Sequence, residues 1–260
     1  AAVLASRGFG AGGFETPAET TVTVLSWNTL GEAPGVDAVT ELVLQTGADV
    51  VALPETTADF ADEVARRARE AGLPLIAYTV FYDEVSKARS TSVLISTELG
   101  TYVVGTGRSN TSVLPSVVAV PTGAGPTIVA AHPVAPLPQY VGQWRSDLAW
   151  LAAQCEGDDV IVAGDLNATL DHMSGLEAPA VDVTGAETRT DLGRCRDAAR
   201  LAGAGAIGTW PTGVPSILGT AIDHVLATPS WRVSGFRVIG DRDEQGSDHR
   251  PILAQLTRAG

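Results

Sequence analysis

Val160-Ile161-Val162-Ala163-Gly164-Asp165-Leu166-Asn167 is the stretch on which the reading of this chain turns. Four small or β-branched apolar residues run into a glycine, and two polar side chains follow. An apolar run of this length, closed by Gly, predicts a buried strand. Side chains alternate across a strand, so Asp165 and Asn167 share one face while Leu166 points to the other. A carboxylate and a carboxamide held together at a rigid strand end suit a site for phosphate and metal. Gly-Asp and Asn are also common turn residues, so the octet alone leaves function open.

Working outward, the same arrangement recurs. Thr21 to Trp27 alternates as a β-branched strand and ends on Asn28; Asp49 to Pro54 is an apolar strand ending on Glu55; Thr127 to Ala131 ends on His132. Ala221 to Leu226 is a strand carrying Asp223, and Gly246-Ser247-Asp248-His249 precedes a last strand from Pro251 to Leu256. Strands are also expected at 74–80, 90–96, 99–105, 116–121 and 232–239, with turn chemistry such as Gly105-Thr106-Gly107 between them. Helical spacing covers Val36 to Gln45, stopped by Gly47. A second helix, capped by Thr57, runs to about Ala71; a third opens at Pro138, and a fourth spans Asp191 to Leu201. Arg66, Arg67 and Arg69 read as a solvated face of the second helix. Residues 168–192 are mixed. No repeat, linker or charge block divides the chain, so one domain over 21–260 is expected, behind a loose Gly-rich lead-in over 1–20. Strands packed in sheets bring their ends to a common rim, where the polar residues above would converge across a cleft.

Composition limits the partners. The 260 residues carry a net charge of −13, and of 17 basic residues only Lys87 is a lysine. A chain this acidic is poorly suited to gripping a polyanion by bulk attraction; with a phosphate substrate, local Arg and a bound divalent cation must offset the repulsion. No apolar run is long enough to span a membrane. Beginning at Ala1 rather than Met, the chain is expected to be processed or excised from a longer precursor. Cys155 and Cys195, without a CxxC, argue against structural zinc. They are one disulfide or two buried thiols; the bridge is the preferred reading, and with it a secreted protein or one on the outer face of a membrane.

Ser26-Trp27-Asn28, Pro54-Glu55, Ala131-His132, Gly164-Asp165-Leu166-Asn167, Ile222-Asp223-His224 and Ser247-Asp248-His249-Arg250-Pro251 resemble, in this order, the motifs of the endonuclease/exonuclease/phosphatase superfamily. That group includes DNase I, exonuclease III and its abasic-site relatives, inositol-polyphosphate 5-phosphatases, and neutral or bacterial sphingomyelinases. The resemblance spans residues 21 to 257, and GDLN followed by S-D-H-x-P is its specific part. It implies a DNase I-like four-layer α/β sandwich, two packed and mostly antiparallel sheets with helices outside.

The chemistry implied is metal-assisted hydrolysis of a phosphoester, water attacking phosphorus in line with the leaving oxygen. Glu55 would be the direct ligand of Mg²⁺ or Mn²⁺, with Ca²⁺ an alternative, and Asn28 and Asp248 would complete or support the shell. His249 would contact phosphate or handle a proton, with Asp223 orienting its ring and raising its pKa. Asp165 would orient or deprotonate the water, and Asn167 would bind substrate and stabilise the transition-state oxygens. Which of Asp165 and His249 is the base stays open. His132 would protonate a leaving oxygen, as in DNase I, although no partner Glu for it is visible near Arg89-Ser90-Thr91-Ser92. Leu30 stands where abasic-site enzymes carry an Asp, which argues against that repair activity. Arg89 would meet phosphate or remain a surface Arg. His224 is expected to be structural, His172 to lie in a surface loop, and Trp210 to pack.

A monomeric phosphodiesterase or nuclease acting on nucleic acid or a small phosphodiester is therefore the leading expectation. Alternatives are a phosphomonoesterase, a sphingomyelinase-like headgroup hydrolase, and a non-catalytic surface module that kept the fold. The absence of an obvious exposed aromatic hairpin counts against the sphingomyelinase. Retention of Asp165, Asn167 and His249 counts against the module.

Overall fold

The computed structural model describes residues 8–10, 13–83, 85–105 and 109–260. In chain order the elements are β1 (Thr21–Ser26), α1 (Gly35–Thr46), β2 (Val50–Pro54), α2 (Ala58–Glu70), β3 (Leu75–Phe81), β4 (Ser90–Ser96), β5 (Tyr102–Val104), β6 (Val117–Pro121), β7 (Thr127–Ala131), α3 (Val141–Gln154) and β8 (Val160–Asp165). There follow β9 (Ala180–Val181), β10 (Glu187–Thr188), β11 (Arg196–Asp197), α4 (Ala198–Leu201), β12 (Asp223–Ala227), β13 (Trp231–Val238) and β14 (Ile252–Arg258). Two six-stranded sheets result, ordered β13-β14-β1-β2-β4-β3 and β11-β12-β8-β7-β6-β5. Only the β1–β2 and β7–β8 pairs are parallel.

Apolar side chains on both faces of the central strands dictate this stacking. Val22, Val24, Val50 and Ala52 of the first sheet meet Ile128, Ala130, Ile161, Ala163 and Val225 of the second in one buried layer. The opposite faces are covered by helices. Leu25, Val51 and Leu53 pack on Leu42, Val43, Phe60 and Val64 of α1 and α2, and Val129, Val160 and Val162 pack on Trp144, Leu148 and Leu151 of α3. The fold is the four-layer sandwich that the motifs implied. Helix boundaries follow local chemistry: Thr57 Oγ1 accepts from the Phe60 N–H at the start of α2, and Gly47, at φ 58°, closes α1 by donating to Val43 O.

The helix expected over Asp191 to Leu201 is corrected, because only Ala198–Leu201 is helical. Gly193 turns at φ 52° against Ala152, Leu192 bridges back to Cys195, and Asp197 spends its side chain capping Arg200 N–H. That turn carries Cys195 to Cys155, the residue ending α3, and the two form a buried disulfide closing a separation of 40 residues. The expectation of no exposed aromatic hairpin is also corrected. Phe81 and Tyr82, where β3 turns toward β4, are 51% and 38% exposed, and Val85 beyond them is 91% exposed. Period-two alternation ends there, so nothing in the sequence says which face is covered. Within the expected lead-in, Phe14 lies under Arg237 and Glu15 pairs with Arg232; residues 1–7 and 11–12, and Thr106 and Gly107 of the expected turn, fall outside the described residues.

Gly164 is the glycine that positions the octet. Its φ is 152°, and a Cβ there would sit 2.0 Å from Ala131 O on the parallel neighbour β7. No rotamer relieves a clash with backbone, so Gly164→Ala should destabilise the fold by about 3 kcal/mol or more, measured by urea unfolding; a loss within about 0.5 kcal/mol would show that β7 and β8 are not this tightly apposed. Blocking with a thiol reagent without reductant should leave the mass unchanged. Removing both cysteines should cost roughly 4 kcal/mol in the chain-entropy account of a loop this long.

Candidate active site

Strand register delivers the polar residues to one place. On β8, Ile161 and Ala163 face the inter-sheet layer while Val160 and Val162 face α3, so Asp165 continues the inward series. Asn28 follows Val22 and Val24 inward, His132 follows Ile128 and Ala130, and Asp223 precedes Val225 and Ala227 on the same face. Because β1, β2, β7 and β8 run toward this end while β12 and β14 start from it, all arrive at one open edge of the seam. Asp165 and Asp223 are direct cross-strand partners.

There the side chains form a connected cluster. Asn28 Nδ2 donates to Glu55 Oε1 at 3.2 Å and to Asp165 Oδ2 at 3.1 Å. His249 lies between two acids, with Nδ1 2.9 Å from Asp223 Oδ2 and Nε2 3.7 Å from Asp165 Oδ2. Its Nε2 is also 3.9 Å from Asp248 Oδ1, and His132 Nε2 is 3.9 Å from Glu55 Oε1. Asn167 adopts φ 48°, gives its N–H to Asp165 Oδ1 at 2.8 Å and its Nδ2 to Pro133 O at 3.0 Å. Asn28, His132, Asp165 and Asp223 are each at most 2% exposed.

Burial and charge act against one another here. Burial would depress the His249 imidazolium, but Asp223 and Asp165 outweigh it and push its pKa up to about 10, so this ring carries its proton at neutral pH. His132 shows the reverse, since burial lowers it to about 4 and it is neutral. Burial raises the Asp165 carboxyl, which His249 partly counters. Glu55 is raised by burial too; Asn28 and His249 counter this and the Asp248 charge adds to it.

Two groupings suit a cation. Ligand atoms of Asp165, Asp223 and His249 lie within 4.8 Å of one another, but a protonated ring already occupies the space between those two carboxylates. Glu55 and Asp248 offer hard oxygen donors, and Asp248 Oδ1, 3.9 Å from His249 Nε2, is occluded without a hydrogen-bond partner. Asn28 turns Nδ2 to the carboxylates and Oδ1 to Leu30 N–H. It therefore supports Glu55 rather than facing the gap. The carboxylate oxygens of Glu55 and Asp248 are the donor type that hard divalent cations prefer.

Arg89 does not join the cluster. It sits on a short turn before β4, half-exposed, 3.7 Å from Asp83 Oδ2. His172 is exposed with its ring edge on Trp144, and His224 faces away toward Asp197 and Ala168. Sequence reasoning missed the supports. Ser247 Oγ donates to Asn28 O and accepts His249 N–H, Thr209 Oγ1 accepts Asp223 N–H, and Trp210 Nε1 donates to Asp248 Oδ2 at 2.8 Å. Arg250, 2% exposed, reaches the carbonyls of Gly208, Pro211, Thr212 and Val214 and so holds the Trp210 loop. Ser247 and Arg250 lie in the S-D-H-x-P motif and Trp210 was expected to pack, but their hydrogen-bonding partners were not foreseen, and Thr209 was not singled out.

Residues 25–249 match the family described as Endonuclease/Exonuclease/phosphatase family. None of the curated proteins matches the chain. Among solved structures, a TDP2 of D. rerio humanized by 14 mutations is 15% identical with a TM-score of 0.68, over 92% of this chain and 100% of that one. The endonuclease/exonuclease/phosphatase from Beutenbergia cavernae is 18% identical with a TM-score of 0.65, over 93% of this chain and 72% of that one. D. rerio TDP2 complexed with single strand DNA product is 15% identical with a TM-score of 0.66, over 92% and 100%. At such identities the likeness is one of fold.

The neutral, buried His132 has a consequence for stability. An unfolded His titrates near 6.5 and the folded one near 4, so between these values the unfolded chain binds more protons. Acidification through that window should cost the wild type up to roughly 1.4 kcal/mol per pH unit relative to His132→Asn. Urea unfolding of metal-free protein at pH 7, 5.5 and 4.5 measures this difference; a constant difference would mean that His132 is not buried neutral.

Proposed function

This chain belongs to the endonuclease/exonuclease/phosphatase family, and from that premise we propose that it is a divalent-metal-dependent phosphodiesterase. The observation that carries the reading is the single linked cluster of Glu55, Asn28, Asp165, His249 and Asp223, with His132, Asn167 and Asp248 at its edges. They come to the seam from six separate stretches of chain; burying several carboxylates around one imidazole costs stability, and titratable groups gathered in this way mark functional sites.

In this reading Glu55 and Asp248 would hold a Mg²⁺ or Mn²⁺ ion, with Asn28 fixing the Glu55 carboxylate. When bound, the cation supplies positive charge to the phosphoryl oxygens and offsets the charge of −13. His249 keeps its proton and so serves as a fixed positive donor to a phosphate oxygen, with Asp223 locking its ring. That leaves Asp165 to orient the attacking water and accept its proton, a task suited to a carboxyl whose pKa burial has raised. The Asn167 carboxamide, whose Nδ2 donates to Pro133 O and Asp165 Oδ2 in the free protein, would turn an N–H to the transition-state oxygens. His132, neutral at Nε2 and Nδ1 taken together, would offer a ring N–H to the leaving oxygen.

Charge favours a diester over a monoester. Within the cluster of described residues His249 is the fixed cation, while Lys87 and Arg89 are already paired with Glu32 and Asp83. A singly charged diester is matched by one metal ion and one imidazolium better than a monoester dianion. A likeness in fold to a TDP2 complexed with single strand DNA product supports a nucleic-acid-type diester; the acidic surface favours small or single-stranded substrates over long duplexes. Exposed Phe81 and Val85, together with Ile217 and Leu218 in the loop beyond Trp210, favour a second reading, a diester headgroup presented by a lipid surface. The disulfide is compatible with an extracellular location, and we place the protein there as a monomer.

A generic aryl diester, the matching monoester, single-stranded and plasmid DNA, and phosphatidylcholine vesicles, each with Mg²⁺, Mn²⁺ or EDTA, test the reading. Turnover of a diester that EDTA abolishes is expected. Glu55→Gln should remove metal-dependent turnover with folding intact, and His249→Ala should lower kcat by about 10³-fold. Retained metal titration in the first, or a loss under tenfold in the second, would withdraw those residues from the chemistry; no turnover of any substrate would leave a non-catalytic module.

A further inference from the structure

Behind the cluster, on the outer face of the second sheet, lies a second buried histidine–aspartate pair that the reaction as described does not use. His224 follows Asp223 on β12 and points to the opposite side, with Nδ1 2.8 Å from Asp197 Oδ2 and Nε2 2.8 Å from Ala168 O. Both side chains are sealed from solvent, at 2% and 0% exposure. Since each ring nitrogen faces an acceptor, each carries a hydrogen, and the ring is an imidazolium clamped between a carboxylate and a carbonyl.

Ala168 is the residue after Asn167, and Asn167 O is itself held by Trp144 Nε1 at 3.1 Å. Two consecutive carbonyls, 167 and 168, are therefore anchored from below by ring N–H groups on two different elements. Between them and the cleft stands Asn167, at φ 48°, a left-handed conformation that Asn adopts more readily than other non-glycine residues. Asp197 is in turn fixed: its N–H donates to Asp191 Oδ2, its Oδ1 accepts Arg200 N–H, and the Arg200 guanidinium clasps Asp191. Asp191 N–H donates to Cys195 O, and Cys195 is bonded to Cys155 at the end of α3. An unbroken series of contacts thus runs from the disulfide to the backbone that presents Asn167.

We propose that His224 and Asp197 are positioning residues for the hydrolytic site: through Ala168 they hold the Asn167 side chain in reacting geometry. This rests on the hydrolase reading above for its kinetic consequences, but the positioning itself is a property of the fold.

His224→Phe keeps the ring and removes both hydrogen bonds. It should lower kcat on a soluble diester by about 10- to 100-fold, the usual cost of losing a support one step behind a reacting group, with KM and the metal concentration for half-activation within about twofold. His224→Gln, which retains an N–H donor, should recover part of the loss. The decisive measurement is the cycle with Asn167→Ala: in that background His224→Phe should cost less than about threefold, because the residue it positions is gone. An equal loss in both backgrounds, or a folded His224→Phe with kcat within twofold of wild type, would overturn the proposal. Should His224→Phe fail to fold, Asp197→Asn, which preserves shape and weakens the clamp, carries the same cycle. Should the wild type hydrolyse nothing, the side-chain amide resonances of Asn167 in ¹⁵N spectra still decide: they should shift and broaden in the variant, and unchanged resonances would refute the positioning while leaving the loss of the hydrolase reading a separate result.

Discussion

A polar side chain that continues the inward register of a strand past its last apolar residue has only the seam between the two sheets to enter. The rest of this molecule depends on that constraint. Face-to-face packing requires the inner positions of β1, β2, β7, β8 and β12 to be small, and they are mostly Val, Ala and Ile, with the buried hydroxyl of Ser26 following Val22 and Val24 on β1. At the open end of the seam the same register supplies Asn28, His132, Asp165 and Asp223. Apolar burial, about 1.5–3 kcal/mol for each fully buried Val or Ile, is what holds these groups together against their mutual repulsion.

That repulsion is managed by hydrogen bonding and by one fixed cation. Asp165 and Asp223 are adjacent on paired strands, and the His249 ring bridges them. Asn28 does for Glu55 and Asp165 what the ring does for the two aspartates, offering one amide to two carboxylates. Carboxylates still outnumber the one imidazolium in the cluster, and that excess negative charge is of the kind a hard cation would offset.

Much of this was legible in the sequence because period-two alternation is a local signal. The strand ends at Asn28, Glu55, His132 and Asp165, and the capping role of Thr57, needed only neighbouring residues to be recognised. Tertiary pairings were not legible. Nothing near Trp210 announces Asp248 as its partner, since the contact spans 38 residues, and nothing near Ser247 announces Asn28, 219 residues away. The helix expected from Asp191 failed because a long-range demand, bringing Cys195 to Cys155, overrode a local pattern that Gly193 and Asp197 had already weakened. Phe81, Tyr82 and Val85 were missed as an exposed group because sequence does not report what a loop leaves uncovered.

Backbone strain provides an independent measure of where the fold serves something other than its own stability. The non-glycine residues at positive φ among those described are Leu30, Glu32, Glu55 and Asn167, and all four belong to the loops at the cleft. Each such residue costs of order 1 kcal/mol, Asn least, and hydrogen bonds around Glu32, Glu55 and Asn167 hold them there. Thr29 Oγ1 reaches the carbonyls of Pro54 and Glu55 and the Thr56 hydroxyl, tying the loop after β1 to the loop after β2. Glu32 receives Thr57 N–H and pairs with Lys87, which lowers its own pKa despite partial burial. Asn167 has Asp165, Pro133, Trp144 and, through Ala168, His224. A fold selected only for stability would place glycine at such turns, as it does at Gly47 and Gly246. Here Glu55 and Asn167 keep side chains that glycine lacks, and the surrounding hydrogen bonds hold them in the conformation that turns those side chains into the seam.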